Sequence, residues 1–416
     1  MIPLTKELKE KLEKVKCYLE MLTDPVNIEK IFVDVYAVRN ENNEIIPGAL
    51  CYDTHNSGES VTILGGIHMN ETSGIHALLE FHNRWVNGKR PKGGKIFTAI
   101  GDFNRITEFI DTVLETETMS PTIWSSFGRT DDSFNFNRIP WDILSKKKFE
   151  NRHEQHAFNI IKHTIIPSRG KVLDIHNTST NAPPMVTLFM ETGEAPEKSV
   201  ERMKLTKVTS GLPIRDFILW KPGPYNGMDS IRSFGEIGDN TIPLLIEAGA
   251  GFDPKSFDRA NDYAQIWLRN VIGMELDESP IQDDSTDIVR AHYVETAALY
   301  HPQIRPQDYL HLDPSLLEAA KKDTLILIRD WPGIDKIKGW STKARQVLDT
   351  LKELPLSSDR LDNFKPMKKG EIIAIGLKTG LEIRSRQDGF ILMVGTDPFI
   401  KPTFNETFAN LSIMLR

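Results

Sequence analysis

The sequence predicts an α/β protein with a mixed sheet flanked by helices, followed by a smaller β-rich domain. Three observations carry this reading. Short β-branched runs alternate with helical patterns between residues 31 and 271, the order that builds a sheet covered by helices on both faces. An acidic, turn-rich stretch, Glu278-Ser279-Pro280-Ile281-Gln282-Asp283-Asp284-Ser285, then interrupts the chain as a linker would. Beyond it the pattern turns to β at 288–295, 324–328, 371–377, 381–385 and 389–394. The expected division is therefore 1–278 and 279–416, with a helical insertion at about 302–365.

Taken in order, Leu8, Leu12, Val15, Leu19 and Leu22 fall at helical spacing among Lys and Glu, which makes 6–22 an amphipathic helix with one face to bury. Strands are expected at 31–36, 49–52, 61–64 and 95–100, with a helix to about Trp85 between the last two. From 102 to 149 the chain is rich in Thr, Ser, Asn and Asp and reads as a long irregular segment, the kind that is functional when it interrupts a compact domain. A helix over 153–166, strands at 171–178, 185–190, 216–220 and 241–247, and helices over 198–207 and 255–271 complete the first domain. In the second, 367–373 and 387–392 have the turn spacing of a small barrel similar to lipoyl-type carrier domains. With no Lys expected at its hairpin tip, it reads as scaffold.

Composition narrows the function. With 416 residues, 39% apolar and 26% charged, the chain has an ordinary globular make-up and length for a large core. A net charge of −7 argues against a nucleic-acid binder. No stretch approaches the ~18 apolar residues of a membrane span, and the opening Met1-Ile2-Pro3-Leu4-Thr5-Lys6 lacks a long apolar leader region, so a cytoplasmic protein is expected; self-association into a homo-oligomer is left open. Cys17 and Cys51 are the two cysteines, too few for a disulfide framework or a Cys₄ site, so a bound metal would be held by His and carboxylates.

One stretch organises the rest. In residues 61–74 a β-branched run breaks at Gly65-Gly66 and delivers His68 and Glu71, three apart, at a strand-to-helix turn. In open α/β sheets that turn, at the carboxyl end of a strand, is where ligands bind. An imidazole and a carboxylate there can share one ion, and His₂Glu with an open fourth position is a catalytic zinc set. The candidate third ligand comes from Lys171-Val172-Leu173-Asp174-Ile175-His176-Asn177-Thr178: Asp174 and His176, two apart on a strand, leave by the same face, the Asp placed to orient a ligand or a neighbouring group. Glu247 closes the apolar run Leu244-Leu245-Ile246 just before two glycines, and an acid in such a place is costly unless it has a task. Within the irregular segment, Asn137-Arg138 offers a planar fork suited to a carboxylate. His153-Glu154-Gln155-His156 is a rival metal pair, but it lacks zincin spacing; His55, His76 and His82 read as structural or surface residues.

Together these residues resemble the succinylglutamate desuccinylase and aspartoacylase family, amidohydrolases on a zinc-carboxypeptidase-like fold. Gly66-Ile67-His68-Met69-Asn70-Glu71 looks like the family's G-x-H-x-N-E, Asp174-Ile175-His176-Asn177-Thr178 like its D-[LI]-H-N-T, Asn137-Arg138 like the end of its D-L-N-R, and Ile246-Glu247-Ala248-Gly249 like its late E-x-G. The resemblance covers about 45–275. It implies one Zn²⁺ held by His68, Glu71 and His176, with Asp174 and Asn177 behind them, Glu247 as general base, and Asn137 with Arg138 holding a substrate carboxylate. Two departures fall on the substrate side: Asn135 and Phe136 replace the family's Asp and Leu, and Arg129 is the nearest candidate for the Arg that polarises the scissile carbonyl, one residue out of register. The implied activity is hydrolysis of the amide bond of a small, carboxylate-bearing N-acyl amino acid. The alternatives are a carboxypeptidase-like peptidase or cell-wall amidase, and a non-catalytic ligand-binding protein on the same scaffold.

Overall fold

The computed structural model describes residues 2–119, 123, 127, 134–137, 139–140, 142–178, 182–189, 196–220, 228–229, 231–235, 243–274, 290–294, 323, 325–327, 339–352, 365–384, 388–392, 399–400 and 410–415. Helix α1 (Lys6–Leu22) begins where the Thr5 hydroxyl accepts from the Leu8 amide at 3.2 Å, and it buries Leu8, Leu12, Val15, Leu19 and Leu22, the stripe legible in the sequence. Strands β1 (Val35–Arg39) and β2 (Ile45–Asp53) follow, then β3 (Ser60–Gly65), α2 (Ser73–Val86), β4 (Lys95–Ile100) and α3 (Phe103–Thr116). After α4 (Arg152–Ile160) come β5 (Val172–Thr178), β6 (Met185–Phe189), α5 (Pro196–Ser210), β7 (Asp216–Trp220), β8 (Leu244–Ala250) and α6 (Pro254–Ile272).

These strands form a mixed sheet in the order β7-β6-β8-β5-β3-β4-β2-β1. The four central strands β8, β5, β3 and β4 are mutually parallel, so their carboxyl ends lie along one edge. Central parallel strands are covered on both faces and need apolar residues on both; every residue of β5 and β8 is buried. Helices α1, α2 and α6 pack together in one layer, while the chain from α4 through 161–168 packs on β3 and β4 from the other side. The side chain of Thr62 in β3 shows this second contact directly, its hydroxyl donating to the Thr164 carbonyl at 2.7 Å.

Three sequence expectations are corrected. Ile31 ends a short helix, Pro25–Ile31, capped by Asp24, and the edge strand starts only at Val35. The segment from 102 is not irregular throughout: Asp102 caps α3 by accepting from the Arg105 amide at 3.2 Å, and Ile106, Phe109, Ile110 and Val113 are buried on one face. A Lys does stand at a hairpin tip in the stretch expected to form the second domain. Lys378 lies in the turn between Ile372–Gly376 and Glu382–Arg384, where the buried Asp323 carboxylate accepts from the amides of Lys378 and Thr379 at 3.0 and 2.7 Å.

Within 302–365 the described residues form a strand, Leu325–Leu327, and a helix, Thr342–Lys352. Strand Arg290–Val294 pairs in parallel with β7 and antiparallel with Asn410–Leu415, which pairs on with Gly389–Leu392 and that in turn with Lys365–Met367, so the described strands of the main sheet number twelve.

Candidate metal and catalytic site

The site begins with a close approach. Gly65 ends β3, and a Cβ there would stand 2.6 Å from the backbone of Gly74 in the first turn of α2; a Cβ on Gly74 would meet the Ile175 carbonyl of β5 at 2.7 Å. Two glycines thus let the helix start press against two strand ends. Gly66, at φ +62°, takes the left-handed turn that glycine adopts without strain. The chain then folds back so that the Glu71 amide donates to the His68 carbonyl at 3.0 Å, and the two side chains become neighbours.

Glu71 sits between two imidazoles. Its Oε1 is 2.9 Å from His68 Nδ1 and its Oε2 is 2.6 Å from His176 Nδ1. One ligand atom from each of the three residues lies within 4.8 Å of the others, which is the spread expected of donors around a single ion. No such ion is needed to explain the outer shell, which is already built. Behind His176, Asp174 is fully buried with its Oδ1 3.1 Å from Nε2, at ion-pair distance though off hydrogen-bond alignment. Behind His68, the Asn137 amide lies 3.3 Å from Nε2. Each imidazole therefore turns Nδ1 to the shared carboxylate and Nε2 to an orienting group, the arrangement that fixes tautomer and ring plane in metal sites.

Asn177 ties the pieces together. Its amide N–H donates to Glu71 Oε2 at 3.0 Å, its Oδ1 accepts from the Ser73 amide at 3.2 Å, and its Nδ2 donates to the Gly249 carbonyl at 3.2 Å. Thr72 makes no side-chain cap at the start of α2, so Asn177 from a distant strand supplies the acceptor that a helix N-terminus otherwise lacks.

Glu247 and His176 are register partners on the adjacent parallel strands β8 and β5, just before the register shifts. Glu247 is 7% exposed, and its Oε2 has no hydrogen-bond partner among the described residues. Burial, with the charges of Glu71 and Asp174 added, pushes its carboxyl up to about 8 against the opposing pull of His176 and Arg232. Burial alone would raise Glu71 as well, but the His68 and His176 imidazoles overcome it and hold that carboxyl well below the usual range. Burial works in the opposite sense on His176, and the Asp174 and Glu71 carboxylates outweigh it, raising the imidazole well above its ordinary value. Two carboxylates pushed apart in this way are suited to different tasks, one to stay anionic and one to carry a proton.

His68, Glu71, His176, Asp174, Asn177, Glu247 and Asn137 are thus brought to one edge of the sheet from distant parts of the chain. Arg129 and Arg138 lie outside the described residues. His153 and His156 do not converge as a metal pair: His153 bonds Asp102, and His156 faces the Gly101 carbonyl. Arg232 was not foreseen. It lies in the turn Ile231–Gly235, is 2% exposed, and its charge acts on Glu247. A lone Arg in a polar stretch gives no sequence signal that it will be buried.

No family model and no curated protein matches the sequence. Solved structures do match the fold. A succinylglutamate desuccinylase/aspartoacylase from Rhodobacter sphaeroides superposes with a TM-score of 0.53 at 13% identity, covering 91% of this chain and 94% of the other. An aspartoacylase family protein from Mesorhizobium loti gives 0.51 at 13%, covering 93% and 97%. A product-bound ectoine utilization protein from Ruegeria pomeroyi gives 0.51 at 12%, covering 92% and 94%. The fold of this chain is therefore that of the succinylglutamate desuccinylase/aspartoacylase structures, as the motifs implied.

Proposed function

We propose that this protein is a zinc-dependent deacylase that hydrolyses the amide bond of a small, carboxylate-bearing N-acyl amino acid. The observation that carries the reading is the convergence of His68, Glu71 and His176, with ligand atoms within 4.8 Å, beside Glu247 on the next strand. Two neutral nitrogens and one carboxylate fit Zn²⁺ by donor type, and the buried, hydrogen-bonded surroundings fit a site meant to be rigid. When bound there, zinc supplies Lewis-acid chemistry: it polarises a carbonyl and makes water more acidic.

The rest is done by the chain. Glu247 accepts the proton of the attacking water as the water oxygen bonds to the amide carbon, and it returns that proton to the nitrogen as the carbon–nitrogen bond breaks. An acid raised towards neutrality by burial is matched to both transfers. Arg129 meets the negative charge that grows on the carbonyl oxygen, a contribution of about 3 kcal/mol for one well-placed donor. Arg138 and its neighbour Asn137 clamp the substrate carboxylate, a charge-assisted fork that holds the amide in line.

The test pairs metal content with turnover. Purified protein is expected to bind one zinc and to hydrolyse members of a panel of N-acyl amino acids in preference to short peptides. If His68→Ala keeps both zinc and activity, the assignment fails; if fully zinc-loaded protein cleaves no member of either panel, the scaffold is a binder.

A further inference from the structure

Behind the site lies a buried pair that the reaction above does not use. His153, in the first turn of α4, is 4% exposed, and its Nε2 is 2.8 Å from Oδ2 of the equally buried Asp102. A carboxylate oxygen only accepts, so Nε2 is the donor to Asp102; the Arg152 Nε also lies 3.3 Å from that nitrogen. Asp102 is itself fixed, because its Oδ1 caps α3 just past the carboxyl end of β4. Taking such a pair out of water is costly, and an apolar residue would serve as well for mere packing. What the pair supplies is a fixed imidazole plane.

That plane is put to use. The Phe134 ring lies nearly parallel to the His153 ring, 20° between planes and 6.4 Å between centroids, and meets Phe136 edge-on at 5.2 Å. Phe136 is fully buried, and its other side is met edge-on by His156, one helical turn along α4, at 5.9 Å. The His156 Nε2–H is in turn directed at the Gly101 carbonyl, 3.2 Å away. From this aromatic stack the chain emerges at Asn137, whose backbone N–H donates to the Asn135 Oδ1 at 2.8 Å and whose side chain lies 3.3 Å from His68 Nε2. Asn135 and Phe136 are the two positions at which the sequence departs from the D-L-N-R pattern. An Asn amide can serve either tautomer of that imidazole, Nδ2 towards a bare nitrogen or Oδ1 towards an N–H.

We infer that His153, locked by Asp102, is a positioning residue for the metal site: it fixes the Phe134–Phe136 stack, and through it holds Asn137 against His68. The inference rests on the zinc reading above. It is tested by zinc affinity, measured by chelator competition on wild type, N137A, H153L and the double variant, with the thermal unfolding of each metal-free protein alongside.

N137A removes a direct partner of a metal ligand and is expected to weaken zinc binding by about 10–100-fold. H153L is expected to weaken it about tenfold while the metal-free protein still unfolds cooperatively, and the double variant to bind no more weakly than N137A, because residues acting in one chain of contacts are not additive. Wild-type affinity in H153L overturns the inference, and so do losses that multiply in the double variant. If H153L does not fold, Phe134→Leu, which removes the half-buried ring that the imidazole faces, is carried through the same cycle with the same criteria. Wild type that binds no zinc sinks the functional reading itself, a result distinct from zinc-binding wild type with an indifferent H153L.

Discussion

Two buried histidines, one at each end of α2, have opposite electrical surroundings. His82, near the carboxyl end of the helix, is 3% exposed; its Nδ1 is 3.0 Å from the Tyr52 hydroxyl, and Phe32, Tyr18 and Tyr52 crowd its ring. Burial among neutral groups pushes its imidazole down to about 4. His176, against the amino end, is as deeply buried but faces two carboxylates, and it is driven the other way. Burial alone makes a histidine neutral and structural. Burial beside two carboxylates instead favours positive charge at the imidazole, so the two ends of one helix hold histidines of opposite electrical character.

The comparison can be broken at either end. The largest effect is expected at the ligands: His176→Ala should abolish zinc binding, read by metal analysis, and take turnover to the detection limit. Glu247→Gln keeps the shape of the site and should keep the zinc, while kcat falls by about 10²–10⁴-fold, the usual worth of a general base. Asp174→Asn removes the charge behind His176 and should weaken zinc binding by about 10–100-fold with the fold intact.

The smallest effect belongs to the other end. The folded His82 titrates near 4 and the unfolded one near ~6.5, so below about 6.5 the unfolded chain binds the extra proton and gains. Stability should therefore fall as the pH drops from about 6.5 to 4, by up to about 3 kcal/mol for this residue. Denaturant unfolding across that range should show the slope, and His82→Phe should flatten it. A slope unchanged in the variant would place the acid sensitivity elsewhere.

Much of this was legible in the residues, for identifiable reasons. The strand ends at His68, His176 and Glu247 could be read because central parallel strands must be apolar throughout, so a charged residue at the end of such a run stands out. The helix α3 was just as regular, with Ile106, Phe109, Ile110 and Val113 spaced for one face, but its Thr and Asp content masked the period. The short helix before β1 was missed because Ile31, Phe32 and Val33, β-branched and aromatic, read as a strand, while Asp24-Pro25 had already set a capped helix start. Arg232 and the Asp102–His153 pair carried no signal at all, since their meaning lies in which surfaces fold over them. The sequence places Asn177 behind the His68–Glu71–His176 group, but its bond to the start of α2 depends on tertiary contact.

A second Asn177 bond, from its backbone amide to Glu71, also bears on how the molecule folds. Glu71 and Asn177 are 106 residues apart in sequence, and Glu247 joins from a third segment, so the ion-binding group exists only after long-range strand pairing is complete. Contacts of that span close late, because their loop entropy must be overcome first. Under the proposed function zinc is a ligand of the native state alone, and its concentration should set the melting temperature: free metal at a hundred times its dissociation constant adds about 2.7 kcal/mol to unfolding. Chelation would cost the protein stability as well as activity, and refolding from denaturant should proceed at a rate that does not depend on the metal.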